Sequence, residues 1–319
     1  MTDRGGNEME PFHRHEALFH YDCLANKAAA EVIKSYSSSF HAATCLYPTQ
    51  IRQDIRNIYA VVRIADEIVD GTVDQALQGS PTTALDKYEK LVLEAPQHRF
   101  HTDLILHAYA NTARRCELSN EHMKAFFRSM RMDLGKTDYT GPELADYIYG
   151  SAEVIGLICL DIFFQQYPKP DSATWQRLQD GAKRLGAGFQ KANFLRDYTD
   201  DVTIRGRYYY PELATDSANE AYERIIQEIY SDFAFAEEVL KFLPNRVQPA
   251  VRAALRIYDQ LAQQLAENPA AVLGNSAERA RLSVPKLTKA GVLTRCIAEF
   301  GYGAIHQKLQ QNPRRKQNP

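Results

Sequence analysis

The chain has 319 residues, 45% hydrophobic and 24% charged, with 38 Lys and Arg against 40 Asp and Glu and a formal net charge of −2. Such a chain is long enough to bury a substantial core, and its even charge balance excludes the basic footprint of a nucleic-acid-binding protein. Five cysteines stand apart with no CxxC spacing, and none of the nine histidines falls in an HExxH pattern. Together with the lack of a secretory start, this reads as reduced thiols in a cytoplasmic protein rather than disulfides or zinc ligands.

Residues 1–14 are polar and carry Gly5 and Gly6, the composition of a flexible arm. From Glu16 onward helical periodicity dominates, without a convincing alternating strand. A first helix is expected over 25–36, ahead of Ser37, Ser38, Ser39 and Phe40. Pro48 and Thr49 open the next helix. Its apolar stripe of Ile51, Ile55, Ile58, Tyr59 and Val62 runs on into Asp66, Val69 and Asp70. The two aspartates, at i and i+4, thus extend the inward face of the helix. Gly71 ends it, and 73–81 reads as a loop. Two or three amphipathic helices follow over 82–134, with no constellation that reads as a site. Gly141 and Pro142 start another helix. Its Tyr147, Gly150, Ser151, Ala152, Gly156 and Leu157 leave room for a neighbouring backbone or a ligand. The longest apolar run, Val154–Phe164, contains Asp161 and falls short of the ~18 residues that cross a bilayer.

Pro168 and Pro170 break the chain before a helix holding residues 190–201, Gln-Lys-Ala-Asn-Phe-Leu-Arg-Asp-Tyr-Thr-Asp-Asp. Gln190, Asn193, Asp197 and Asp201 recur on one face of it, spread over roughly 16 Å. Carboxylates four apart repel, and more so when desolvated. The face is therefore either solvated or neutralised by cations, and the matching pair Asp66/Asp70 favours cations. Arg205, Gly206, Arg207 and three tyrosines to Tyr210 form a basic, aromatic loop just beyond. Helices over 217–243 and 248–266, and one after Pro285, bring the total to about ten in one all-α domain over 15–308. The end, 309–319, with Arg314, Arg315 and Lys316, reads as a disordered basic tail.

Two acidic helical faces suit Mg²⁺, with Mn²⁺ as a substitute, sharing its shell with substrate phosphates. Arg63, Arg196, Arg205 and Arg207 flank the acids, and guanidinium groups fit phosphate bidentately. No P-loop or kinase-type glycine loop is present, which disfavours nucleotide phosphoryl transfer. A metal-diphosphate site in a helical, aromatic bundle suits another reaction. Loss of diphosphate from an allylic carbon leaves a carbocation that a dry cavity protects. Tyr59, Tyr147 and Tyr258 are candidates to face it, with ordinary packing as the alternative for each.

These residues carry a resemblance to the squalene and phytoene synthases, most of all the bacterial phytoene synthases, over about 20–300. The matching stretches are 36–40 (Tyr-Ser-Ser-Ser-Phe), 58–71, 147–156, 190–201 and 205–211. The resemblance implies a single-domain isoprenoid synthase bundle around a central cavity. It puts Mg²⁺ and diphosphate binding on Asp66, Asp70, Asn193, Asp197 and Asp201, and catalytic roles on those four aspartates with Tyr147 and Tyr258. Substrate contacts fall on Tyr36, Ser37, Ser38, Ser39, Tyr59, Arg63, Gln190, Arg196 and Tyr258, with Arg207 and Arg281 as further diphosphate partners. Glu153 departs from the family pattern and puts the packing of that wall in question.

The implied reaction joins two geranylgeranyl diphosphates through a cyclopropylcarbinyl diphosphate into phytoene. It ends in proton loss, so no NADPH is expected. Farnesyl diphosphate, giving dehydrosqualene or squalene, is the alternative substrate, and a non-catalytic helical scaffold the alternative of another class. C30-forming relatives block the tail tunnel with two aromatics, and the matching positions here hold Thr44 and Arg56. Lipid substrates imply peripheral contact at the inner face of the cell membrane and contact with a downstream desaturase.

Overall fold

In the computed structural model, which describes residues 11–76, 79–274 and 281–310, Pro, Gly and short polar caps mark where helices begin and stop. The first is α1 (Pro11–Tyr36), followed by α2 (Ser38–Thr44), α3 (Thr49–Val69) and the single turn α4 (Thr72–Gln75). Next come α5 (Pro81–Glu94), α6 (Leu104–Arg115), α7 (Asn120–Gly135) and α8 (Gly141–Ile148). The chain continues through α9 (Val154–Phe164), the long α10 (Ser172–Thr203), α11 (Ala218–Val239), α12 (Gln248–Glu267), α13 (Ala270–Leu273) and α14 (Lys286–Gln310). Among the described residues the only β pairing is a single bridge between Asp138 and Tyr208.

Capping follows the sequence. Ser37 Oγ accepts from the Phe40 amide at 3.2 Å, and Asp171 Oδ1 accepts from the Ala173 and Thr174 amides at 3.1 and 3.0 Å. Such caps satisfy amides that the first helical turn leaves open. Gly71, at φ +102°, stops α3 in the left-handed region that a side chain disfavours. The expected loop over 73–81 is shorter than the sequence suggests, because α4 occupies part of it.

The first helix begins at Pro11, ahead of the expected start at 25 and inside the stretch expected to be an arm; residues 1–10 lie outside the described residues. Its first turns are anchored by polar contacts rather than by a continuous apolar stripe, so the periodicity seen from Glu16 onward did not fix where the helix begins. Tyr21 donates to the carbonyl of His101 at 3.0 Å, and Asp22 meets His107 at 2.7 Å and Asn111 at 2.9 Å. At the other end α14 runs to Gln310, and the basic residues of the expected tail lie outside the described residues.

The segment from α8 to α9 is one helical run, joined by a π-turn at Tyr149–Glu153. Such turns widen a helix locally and recur at functional sites. The run Gly141–Phe164, 24 residues, is long and apolar enough by composition to cross a membrane, longer than the sequence expectation of Val154–Phe164. It is core instead: 61% of its apolar window is buried in the bundle.

That run packs antiparallel on α10 through glycines. A Cβ on Gly156 would come within 2.4 Å of the Ala182 carbonyl oxygen, and one on Gly186 within 2.6 Å of that of Ala152. Further along, Phe164 meets Trp175 edge-on at 5.2 Å. Gly156→Ala should therefore lower stability by about 1–3 kcal/mol, since overpacking a backbone contact outweighs the better helix propensity of Ala. Urea unfolding checks this; a stabilised variant would contradict the close packing.

Candidate active site

Helices α2, α3, α9, α10, α11 and α12, with the start of α14, enclose a cavity of about 940 Å³. Every site residue expected from the sequence lines it: Tyr36, Ser37, Ser38, Ser39, Tyr59, Arg63, Asp66 and Asp70 from one side; Tyr147, Gln190, Asn193, Arg196, Asp197, Asp201, Arg207, Tyr258 and Arg281 from the other. Two helical faces far apart in sequence thus meet across one space.

The charged end is built by ion pairs that leave some acids short of partners. Arg207 donates to Asp70 Oδ1 at 2.9 Å and to the Val69 carbonyl at 2.6 Å, tying the loop after α10 to the end of α3. Arg205 reaches both faces, 3.4 Å from Asp70 and 3.1 Å from Asp201. Asp197 accepts from Arg196 Nε at 2.9 Å and from Arg281 Nε at 2.8 Å. Burial pushes the Asp197 carboxyl up, but these guanidinium groups outweigh it and hold the group below its usual range. Asp66 has Arg63 only at 3.8 Å. Burial, with Asp70 and Asp133 nearby, pushes Asp66 up to about 7. Burial likewise pushes Asp201 up to about 7, with Asp197 and Asp70 adding to it against Arg205 and Arg207.

Other expected residues take specific positions. Arg63 pairs with Glu67 one turn on and lies over the Tyr36 ring at 4.4 Å, while its Nε is buried without a partner. Tyr258 donates to Asn193 Oδ1 at 3.3 Å and lies against Phe189, ring centres 4.2 Å apart. Burial raises the Tyr59 phenol to about 12, so it stays protonated.

Three of the lining residues that the sequence reading passed over bear on the chemistry. Asp133 lies in 82–134, where no site was expected, yet its side chain is buried in the wall. It accepts from Tyr139 and Tyr209, each at 2.9 Å, and from Tyr147 at 2.6 Å. A single acid in an amphipathic helix gives no signal of its own. Tyr209 is the second residue missed, one of three consecutive tyrosines of which only it lines the cavity. The third is Lys289, which donates to Ser38 Oγ at 2.8 Å from the first turn of α14. The residue in question, Glu153, turns away from the cavity. It lies in a groove behind the π-turn with Lys183, Lys191 and Asp232, so the wall beside Gly156 is undisturbed.

Below the charged end the walls become apolar: Phe40, Thr44, Tyr47, Ile155, Cys159, Phe163, Leu178, Leu240, Leu243 and Val251. Thr44 is buried in the wall with its hydroxyl on the His41 carbonyl at 2.9 Å. Arg56 does not line the cavity; its guanidinium lies beside Cys45 Sγ at 3.8 Å.

The profile of one family, squalene/phytoene synthase, matches residues 33–288. The chain belongs to that family. Squalene/phytoene synthases are head-to-head prenyltransferases, generally Mg²⁺-dependent, and act on prenyl diphosphates. A 15-cis-phytoene synthase from Paracoccus sp. (strain N81106 / MBIC 01143) is 30% identical over 287 residues, 83% of this chain and 88% of that one. A phytoene synthase from Arthrospira platensis is 28% identical, over 75% of this chain and 82% of that one. Among solved structures, a dehydrosqualene synthase in complex with ligand superposes with a TM-score of 0.72 at 19% identity, over 89% of this chain and 99% of that one. A squalene synthase from Alicyclobacillus acidocaldarius does so with a TM-score of 0.63 at 19% identity, over 76% and 93%.

Among the described residues no group of three or more His, Cys, Asp or Glu side chains is placed to hold a metal ion alone. Asp66 and Asp70 line the same end of the cavity as Asp197 and Asp201, with Arg205 reaching both faces, which fits an ion that completes its shell with waters and phosphate oxygens. Asp66 and Asp201, disfavoured as anions without a cation, are the observation that supports the fit. Their folded pKa values lie above the unfolded one. Metal-free, they therefore hold protons in the folded state, and the stability they contribute is lost as pH rises from about 4 to about 7. Mg²⁺ competes with those protons. Its stabilising shift in melting temperature should be larger at pH 7.5 than at pH 5.5, measured by thermal denaturation with and without the ion. An equal shift at both would contradict this electrostatic account.

Proposed function

We propose that the protein condenses two molecules of geranylgeranyl diphosphate head to head into phytoene. The observation that carries this reading is the length of apolar wall below the diphosphate end. From Asn193 to Leu178, α10 falls by fifteen residues, about 22 Å. A geranylgeranyl main chain of sixteen carbons, extended at about 1.2 Å per bond, is about 18 Å long, and a farnesyl chain about 13 Å. Thr44 leaves that run open, and Arg56 stands outside it. The phytoene synthases among the relatives support the same substrate.

Asp66 and Asp70 at the end of α3, and Asn193, Asp197 and Asp201 on α10, would hold Mg²⁺ between them and the two diphosphates. Bound there, the ion supplies charge that offsets the negative charge growing on diphosphate as its bond to the allylic carbon breaks. Arg63, with its free Nε, and Arg196, Arg207, Arg281 and Lys289 grip the diphosphate oxygens and fix both head groups side by side. Ser37, Ser38 and Ser39 line the same end, and the hydroxyl of Ser38 is oriented by Lys289. Gln190, two residues beyond Gly188 on the same helix, lies where the charged end meets the apolar tunnel. The first allylic cation is captured by the double bond of the second substrate, giving a cyclopropylcarbinyl diphosphate. This then ionises, its ring rearranges, and loss of a proton gives phytoene without a reductant. Tyr59, Tyr147 and Tyr258 present ring faces to these cations, and the apolar walls exclude water.

Competition between geranylgeranyl and farnesyl diphosphate at equal concentration tests the reading. A C40 hydrocarbon should predominate, formed without NADPH; a predominant C30 product would replace this substrate by farnesyl diphosphate.

A further inference from the structure

Asp133 is the convergence point of the cavity wall. Its Oδ1 accepts the hydroxyls of Tyr139 and Tyr209, and its Oδ2 that of Tyr147. Arg207, already bound to Asp70, lies 3.9 Å from Oδ2. A phenol has one proton, and the shorter contacts run from all three to the one carboxyl group, at 2.9, 2.6 and 2.9 Å, whereas the Tyr147 and Tyr209 oxygens lie 3.3 Å from each other. Tyr147 and Tyr209 line the cavity, whereas Tyr139 stands behind it. The two lining phenols therefore show the cavity only ring faces and oxygen lone pairs. Three hydrogen bonds converging on one buried acceptor fix the rotation of each hydroxyl. Preoriented dipoles of this kind are worth most in a water-free site, because they need no reorganisation as charge develops.

We propose that Asp133 is a positioning residue for the second half of the condensation: by taking the hydroxyl protons of Tyr147 and Tyr209, it keeps both phenols turned with their electron-rich side toward the rearranging cation. This rests on the proposed head-to-head reaction. The first cation is trapped at once by a neighbouring double bond. The second passes through ring rearrangement before its proton leaves, and so depends longer on the wall. Asn at position 133 has the same shape but one acceptor oxygen and an amide that donates. It cannot take three phenol protons in the same arrangement, so a hydroxyl turns its positive end toward the cavity.

The test is the product ratio from geranylgeranyl diphosphate and Mg²⁺. In Asp133→Asn the cyclopropylcarbinyl diphosphate, released or recovered as its alcohol, should rise at least tenfold relative to phytoene. Tyr147→Phe combined with Tyr209→Phe should shift the ratio in the same direction. Tyr139→Phe, which removes a phenol from behind the wall, should leave the ratio unchanged. If Asp133→Asn does not fold, the double variant decides by the same ratio. Intermediate and hydrocarbon falling together in the folded variants would overturn the positioning role, as would an equal shift in Tyr139→Phe. If the unaltered protein forms no cyclopropylcarbinyl intermediate, the proposed reaction fails and this inference falls with it.

Discussion

Asp66→Asn and Asp201→Asn are each expected to reduce turnover by on the order of 10³-fold or more, about 4 kcal/mol of transition-state stabilisation, while making the metal-free protein more heat-stable above pH 7. The two signs have one cause. Burial pushes both carboxylates up to about 7, so above that pH the fold carries two anions that it disfavours. A neutral amide of the same shape relieves that cost and removes a metal ligand. Residues kept at a cost in stability are the expected signature of a site. Turnover measured with saturating Mg²⁺, and melting at pH 8 with chelator, give the two readings. A variant that loses activity and stability together would point to a structural role. Full activity would remove the residue from the metal site.

The second large effect concerns tail length. Thr44 lies six residues beyond Ser38 on the inner face of α2, about 9 Å deeper than the diphosphate end. Thr44→Phe fills the tunnel there and should shift preference toward farnesyl diphosphate by about 10- to 200-fold, the range over which filling an apolar pocket discriminates. The floor lies deeper. The rings of Tyr47 and Phe163, 5.4 Å apart, meet where the antiparallel register of α9 and α10 brings Phe164 to Trp175. Phe163→Ala should leave the farnesyl-to-geranylgeranyl preference nearly unchanged and admit a C25 tail. Competition assays with C15, C20 and C25 diphosphates check both. An unchanged preference in Thr44→Phe would mean that the tail does not run past α2.

Much of the site was legible because helical spacing encodes a face. Asp66 and Asp70 followed an apolar stripe inward, and Asn193, Asp197 and Asp201 shared one side of α10, so the meeting of the two faces needed only a closed bundle. The resemblance added the serines, Arg281 and the substrate class, none of which spacing alone supplies. What stayed hidden depends on contacts distant in sequence. Asp133 looks like any acid on an amphipathic helix until Tyr139, Tyr147 and Tyr209 converge on it from other elements. Lys289 acquires its role only when α14 returns to Ser38. Arg56 could not be oriented from sequence, because a long side chain on a helix has two ways to turn; it turns outward to Cys45. The start of α1 and the π-turn were hidden for a related reason. One is anchored by hydrogen bonds to His101 and to α6 and the other is an insertion in a regular pattern, and neither leaves a boundary signal in the periodicity.

The most direct measurement is the stoichiometry of the unaltered protein acting on geranylgeranyl diphosphate with Mg²⁺ and no reductant. Two inorganic diphosphates should appear for each C40 hydrocarbon, with a cyclopropylcarbinyl diphosphate as a transient. One diphosphate per product with a longer prenyl diphosphate formed, or no diphosphate released at all, would contradict the head-to-head reaction proposed for this cavity.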